Sequence, residues 1–511
     1  MVDDMKNDIM RRILPLLLLA AVTLVSCGES GGAAAPSGGG AGAQTAADDA
    51  VVTEAPETEA GRAGTADSLP SDVDLGGMTL RVIARMGDED TRIEFFADQL
   101  DGEVVNDAVY TRNMKVEERL NCKMELIGDG NTCHGGFADT VNRSVQAGSD
   151  DFDLVANAMY NSMPIVLKGC FTDLNSLKYL DFGQPWWNRA FLDITEYNGK
   201  NYAAIGELAQ TMISGAFVMF FDRTSFEELF PGEPSLYATV EDGGWTVDKL
   251  ISYCEPVYSD LNGDGEANEG DRFGHFFTNT KTLGCDSFVG GCNINLMKKN
   301  DDGSYEYTGS SERTLRFIDK MHRLLFENNN TLRTPDNNDT IMKSMVNRQT
   351  IFTTWMLSGV NYLRDMENDF GIIPMPKLDE NQADYNVFTH DGCSAFSIPI
   401  TCGATDETAA LLEALSAETY RTVTPAYFET ALKGKYSRDS ETARMLDIIV
   451  AGVYLDITYI YGQNLGTPID MMRGILGGQS ACEKAASTLA KKESSILKSM
   501  DKIIAAYEGL G

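Results

Sequence analysis

Positive charge is what this 511-residue sequence most lacks. Lysine and arginine number 42 against 76 aspartates and glutamates, a formal net charge of −34 at pH 7. Such a surface repels nucleic-acid phosphates and anionic headgroups, so recognition of nucleic acid through a basic patch is not expected. Histidine is scarcer still. The four present, His134, His275, His322 and His390, are scattered without ligand spacing, and the ten cysteines include no Cys-x-x-Cys pair, which argues against a zinc site. Also missing are a Walker A loop, Gly-x-Ser-x-Gly, His-Glu-x-x-His, and Gly-x-Gly-x-x-Gly after a strand, so no enzyme class announces itself. No spacing singles out a carboxylate pair for glycoside hydrolysis.

The hydrophobic content of 43% is ample for a core, and the length suits two or three domains. Arg11 and Arg12 precede a nearly continuous apolar run from Ile13 to Val25, shorter than a membrane-spanning helix needs and flanked like a secretory signal. Leu24-Val25-Ser26-Cys27 resembles the lipobox of bacterial lipoproteins, which implies a signal peptide over 1–26 and a lipidated Cys27 at the extracellular face of the membrane. Two acyl chains make a stable anchor. Residues 27–77 are rich in Gly, Ala, Thr and acids, the composition of a disordered tether. Nine cysteines remain beyond Cys27. At least one must therefore stay unpaired or pair between chains, and Cys285 with Cys292 is the first pair to check.

The folded part opens with alternating elements. Thr79 to Ala84 reads as a strand, and Val105, Val109, Val116 and Leu120 share a helical face with Asn106 or Asp107 as cap. Met124 and Leu126 mark a second strand. Phe137, Val141 and Val145 mark a second helix, and Phe152 to Ala156 a third strand. This β-α-β-α-β order predicts a parallel sheet with helices on its faces. Ligands bind such sheets at the carboxyl ends of the strands, which places residues 157–163, with Tyr160 and Asn161, at a cleft edge. Ala216 to Phe221, Ile351 to Thr354 and Phe370 to Ile373 are further strands, and Thr224 to Phe230 starts a helix. Leu489, Ile496, Met500, Ile503 and Tyr507 line one face of a C-terminal helix.

The order of DAVYTRNMKVEERLNCKMEL, DFDLVANAMYNSMPIVLKGCFTDLNSL, GKNYAAIGELAQTMISGAFVMFFDR, GGWTVDKL and FTTWMLSGVNYLRDMENDFGIIPMPKLDENQADY resembles the extracellular solute-binding proteins of family 1, in particular clostridial lipoproteins. That resemblance covers about residue 78 to the C-terminus. It implies an α/β, two-lobed periplasmic-binding-protein-like fold (type II) with a hinge and an interlobe ligand cleft. It also implies a monomer that delivers a small solute, often an oligosaccharide, to the permease of an ABC transporter. Mapped here, lobe 1 should hold 78–212 and 351–420, and lobe 2 should hold 213–350 and 421–511. A surface adhesin or sensory receptor on the same fold is the alternative, and a secreted carbohydrate-active hydrolase a weaker one.

Sugar clefts pair flat aromatic faces with carboxylates and amides. Trp355 stands where the family often has a sugar-stacking aromatic, and Trp186 and Trp187 lie in a loop-like stretch. Trp245 reads as packing a helix start capped by Thr246. Glu207 in the hinge segment and Asp391 near a second crossing are polar candidates, and each could equally be a satisfied loop residue. The run Asp260, Asn262, Asp264, Gly265, Glu266, Asn268 and Asp271 matches a calcium loop of EF-hand type. Oxygen ligands recur every second residue, Glu266 supplies its carbonyl, and Gly265 makes the turn. The terminal Asp resembles dockerin loops. Only one such loop occurs, so a structural calcium clip is expected and cohesin binding is not.

Overall fold

Runs of buried apolar residues too short for helices form two main sheets in the computed structural model of the chain, which describes residues 59–87, 93–278, 282–300, 302–334, 338–363, 366–427 and 440–510. The expected signal peptide, Cys27 and the tether up to residue 58 lie outside the described residues. In chain order the strands of these two sheets are β1 (Met78–Arg85), β2 (Cys122–Asp129), β3 (Leu154–Ala158), β4 (Phe217–Asp222), β5 (Phe273–Thr278), β6 (Thr331–Thr334), β7 (Thr350–Met356), β8 (Phe370–Ile373) and β9 (Ser394–Ser397), while Met297–Lys299 pairs with Tyr305–Tyr307 and Val387–Phe388 with Val453–Tyr454. All described residues belong to one compact unit.

The first sheet has the order β9-β3-β1-β2. β1 pairs in parallel with both β2 and β3, as the alternation of strands and helices requires. The connecting helices, Val104–Leu120 and Phe137–Gln146, bury the expected faces: Val105, Val109, Val116 and Leu120 on one, Phe137, Val141 and Val145 on the other. Neither Asn106 nor Asp107 is the cap. That position is Glu103, and the Asp107 carboxylate reaches back to accept from the N–H groups of Asp101 and Gly102. β3 begins two residues later than the apolar run, because Asp153 is drawn aside to pair with Arg81. β9 closes the sheet antiparallel to β3.

The second sheet has the order β8-β4-β7-β5-β6. Its strands are buried on both faces, β4 and β5 throughout, as in sheets covered by helices on each side. The expected lobe boundary at 351 is corrected here. β7 lies in the middle of this sheet, antiparallel to β4 and parallel to β5. Its Phe352 ring packs 5.7 Å from Trp245 and 6.2 Å from Phe226, so the segment through β8 belongs to lobe 2. The chain runs between the lobes near Ala204–Ala216 and again near Thr389–Phe396, where bridges join Ala204 to Phe396 and Ala216 to Thr389. Helix Thr405–Glu418 packs on Val104–Leu120 in lobe 1, and helix Ser440–Ala451 packs on β8 in lobe 2. The last helix, Ala485–Glu508, buries the five residues expected of it. No described helix is long and apolar enough to cross a membrane.

The tether is also corrected at its far end. Residues 59–64 form a helix, and 65–77 follow as chain laid on lobe 1. Arg62 donates to both oxygens of Glu207 at 2.9 and 2.8 Å and stacks 4.4 Å over Tyr420. Asp67 takes Arg119 and Arg421, and Leu69 is buried. None of the nine described cysteines forms a disulfide, so Cys285 and Cys292 are separate buried thiols.

Candidate functional site

The carboxyl end of β3 runs directly into a helix, Met159–Val166, so residues 159–163 are its first turn and not an open loop. That turn is held against the second crossing by two backbone bonds, Met159 N–H to Cys393 O (2.8 Å) and Tyr160 N–H to Asp391 O (3.1 Å). Asn161 donates to Cys133 O at 2.5 Å and accepts from Gln463 Nε2 at 2.8 Å, while Gln463 also donates to Tyr160 O at 2.9 Å. Gln463 follows the short helix Ile457–Ile460, so lobe 2 closes on lobe 1 through this amide.

Tyr160, Asp391, Tyr459, Gly462, Thr467, Ile469, Asp470 and Arg473 enclose a cavity of about 20 Å³, room for about one water. Asp391 is 3% exposed. Its Oδ1 lies 3.3 Å from His134 Nε2 and 3.4 Å from His390 Nδ1. Burial alone would push this carboxyl up, but His390, His134 and Arg473 outweigh it and hold it below the usual carboxylate range. Its hydrogen bond to Asp391, then that to Cys133, raises His134 to about 10, so this imidazole is a cation at neutral pH. Arg473 grips buried Asp286 with two bonds of 2.9 and 2.6 Å and reaches Asp470 at 2.6 Å.

The turn at the cavity wall is strained. Thr467 sits at φ 53°, ψ 61°, a left-handed conformation that is costly for a β-branched residue. Thr467 and Asp470 are shared with a second cavity of about 420 Å³, which lies between the Pro468–Leu476 helix and the last helix. A third, of about 660 Å³, is lined by Asn293, Arg313, Gln382 and Asn386 among others, all from lobe 2. There Gln382 is already saturated by Gly291 O, Asp384 O, Asn386, Arg313 and Leu378 N–H.

Of the residues expected at the ligand, Tyr160, Asn161 and Asp391 come together here. The tryptophans do not. Trp355 is 3% exposed, packed against Gly359 and edge-on to Tyr362. Trp186 packs on Tyr420, and Trp187 donates to Glu413 at 3.3 Å. Trp245 is a core residue bonded to Pro374 O, with Thr246 capping the next helix as expected. Side chains this large are stabilised most by full burial, and a buried face cannot stack on a sugar. Glu207 is engaged by Arg62. Sequence reasoning missed His134, His390, Gln463 and Arg473. Rarity was the available signal for the histidines, since two of only four meet at one carboxylate.

In the loop 260–271, the Asp260 carboxylate accepts from the N–H groups of Gly263 and Gly265 at 2.6 and 3.0 Å. Both glycines have φ of 75°. Asn262 Nδ2 lies 3.0 Å from Asp264 Oδ2 and 3.1 Å from Asn268 Oδ1, and Asn268 Nδ2 lies 3.1 Å from Glu266 O. Buried Asp271 pins the loop through Leu261 and Asn268 N–H. Among the described residues no group of three or more His, Cys, Asp or Glu side chains is arranged to hold a metal ion. The expected ligand set here leans on two amides and a backbone carbonyl.

No family model and no curated protein matches the sequence. Among solved structures, the GacH receptor of Streptomyces glaucescens, determined unliganded and with acarbose, is similar over 83% of this chain and 99% of its own, at 12% identity and TM-score 0.54. The galacto-N-biose-/lacto-N-biose I-binding protein of an ABC transporter from Bifidobacterium longum, in complex with lacto-N-biose, is similar over 84% and 98%, at 14% identity and TM-score 0.54. An extracellular solute-binding protein from Staphylococcus aureus in complex with maltose covers 83% and 98%, at 11% identity and TM-score 0.54. The chain therefore has the two-lobed periplasmic-binding-protein-like fold.

Proposed function

We propose that this protein captures a carbohydrate between its lobes and delivers it to an ABC importer, held at the outer face of the cell membrane through a lipidated Cys27. The observation that carries the reading is the cluster in which Tyr160, Asp391, Tyr459, Asp470 and Arg473 line a water-sized space, with Asn161 and Gln463 hydrogen-bonded to each other next to Tyr160. A carboxylate, a guanidinium and phenols supply the paired donors and acceptors that sugar hydroxyls need. The named ligands of the similarly folded proteins support the same class.

A thermal-shift screen of the purified protein against mono- and oligosaccharides, with peptides as controls, tests this. One glycan series should raise the melting temperature saturably, and Asp391→Asn should weaken its binding by about ten-fold or more, the loss typical of a charged hydrogen-bond partner. A shift from peptides alone would discard the carbohydrate assignment. No shift from any solute would discard capture itself.

The loop 260–271 is proposed to hold a structural calcium ion, with Asp260, Asn262, Asp264, Asn268, Asp271 and the Glu266 carbonyl as ligands. Its support is the turn already wrapped by Gly263 and Gly265 and the mutual approach of Asn262, Asp264 and Asn268. Calcium at a hundredfold excess over its dissociation constant should stabilise the fold by about 2.7 kcal/mol. The melting temperature should rise in calcium against chelator, and Asp264→Ala should remove the rise. Identical melts in both would end the proposal.

A further inference from the structure

The loop after β2 carries a thiol that ligand capture does not use. Cys133 is the one cysteine among the described residues that is not buried. Its Sγ lies 3.1 Å from His134 Nδ1, and the opposite ring nitrogen, Nε2, lies 3.3 Å from Asp391 Oδ1. One imidazole thus bridges an accessible thiol and a buried carboxylate, so an imidazolium held by a carboxylate stands beside the nucleophile. The approach needs Gly392. A Cβ at that position would stand 3.1 Å from Cys133 Cβ and 2.8 Å from His390 Nδ1. The loop itself is pinned by Asn161, which donates to Cys133 O.

The groups facing the pair come from several elements. Tyr160 lies edge-on to His134 at 5.1 Å from the helix after β3, and His390 at 5.9 Å and Asp391 from the second crossing. Arg473 of lobe 2 acts on Asp391 from the far side.

We propose that Cys133 is an activated thiol, paired with His134 and positioned through it by Asp391, that exchanges with low-molecular-weight disulfides. The thiol gives up its proton to solvent as it reacts. The Sγ thiolate attacks one sulfur of the incoming disulfide, that S–S bond breaks, a new S–S bond joins Cys133 to the attacked sulfur, and the other half leaves as a thiolate. The adduct forms on the loop that Asn161 ties to Gln463, so it adds bulk where the lobes meet.

The test uses the native full chain with oxidised glutathione, rates being read by mass mapping of the Cys133 peptide across pH. At about pH 6, Cys133 should react about ten-fold or more faster than free cysteine, whose thiol has a pKa near 8.5. In His134→Gln the rate should drop to that of free cysteine and fall about ten-fold per pH unit below pH 8. Asp391→Asn should lie between, and near-UV circular dichroism certifies that each variant is folded. A wild-type rate no faster than free cysteine overturns the proposal. So does an acceleration that survives His134→Gln in a folded protein.

Discussion

Truncating Arg473 to alanine should cost the folded protein about 3–5 kcal/mol, the usual penalty for leaving one member of a buried ion pair behind. Asp286, on the Thr282–Gly291 helix, is fully buried, and its two oxygens are both taken by Arg473. Without the guanidinium the carboxylate would be charged in an apolar setting or would have to take up a proton. Burial already pushes the Asp286 carboxyl above the ordinary range against the pull of Arg473, so protonation is the response expected of the variant. An acid whose folded pKa lies above its unfolded value loses stability as pH rises from the lower value to the higher. Arg473→Ala should therefore be closest to wild type at about pH 4 and fall furthest behind at about pH 8. Adding Asp286→Asn should restore part of the loss and flatten the pH dependence. Guanidinium denaturation at the two pH values measures both. A loss below about 1 kcal/mol at pH 8, the size of an exposed pair, would show that the pair is effectively solvated.

Much of lobe 1 was legible because its information is local. Val105, Val109, Val116 and Leu120 repeat at helical spacing, β1 and β2 are short buried or alternating runs, and βαβ handedness leaves few ways to join them. The same holds for the last helix, whose five core residues follow from spacing alone. The lobe boundary was not legible. TIFTTWM reads as a strand from its own residues, but its neighbours in the sheet, β4 and β5, lie far away in sequence. Pairing between distant strands leaves no mark in either one.

The site divides along similar lines. Tyr160 and Asn161 follow from the rule that ligands gather at strand ends, and Asp391 from proximity to a chain crossing. His134, His390 and Arg473 carry no motif and reach Asp391 from distant parts of the chain. The tryptophans lie in the core, since the same area that suits an aromatic to a sugar suits it to burial. Glu207 is held by Arg62, which comes from a stretch whose composition reads as tether.

A second large effect is expected at a buried carboxyl outside that cluster. Glu413 lies in the Thr405–Glu418 helix, which is buried from Thr408 onward. Its Oε2 accepts from Trp187 Nε1 at 3.3 Å and from the Asp181 N–H at 3.4 Å. Burial is the dominant influence and pushes the carboxyl up from 4.5 to about 8, the hydrogen bonds only partly opposing it. Below the unfolded value both states are protonated and the group is neutral to stability. Between the two values the unfolded chain is ionised while the folded one still holds its proton, so stability falls as pH climbs. Above the folded value the penalty is complete. Glu413→Gln keeps the shape and an acceptor for Trp187 but has no charge to bury. The variant should match wild type at about pH 4 and exceed it at about pH 8 by on the order of 4 kcal/mol, each pKa unit being worth about 1.4. Every other titrating group contributes equally to both proteins, so the difference between their stability curves isolates this carboxyl. Parallel curves from pH 4 to 9 would mean that water reaches Glu413 and that the Trp187 contact is looser than 3.3 Å.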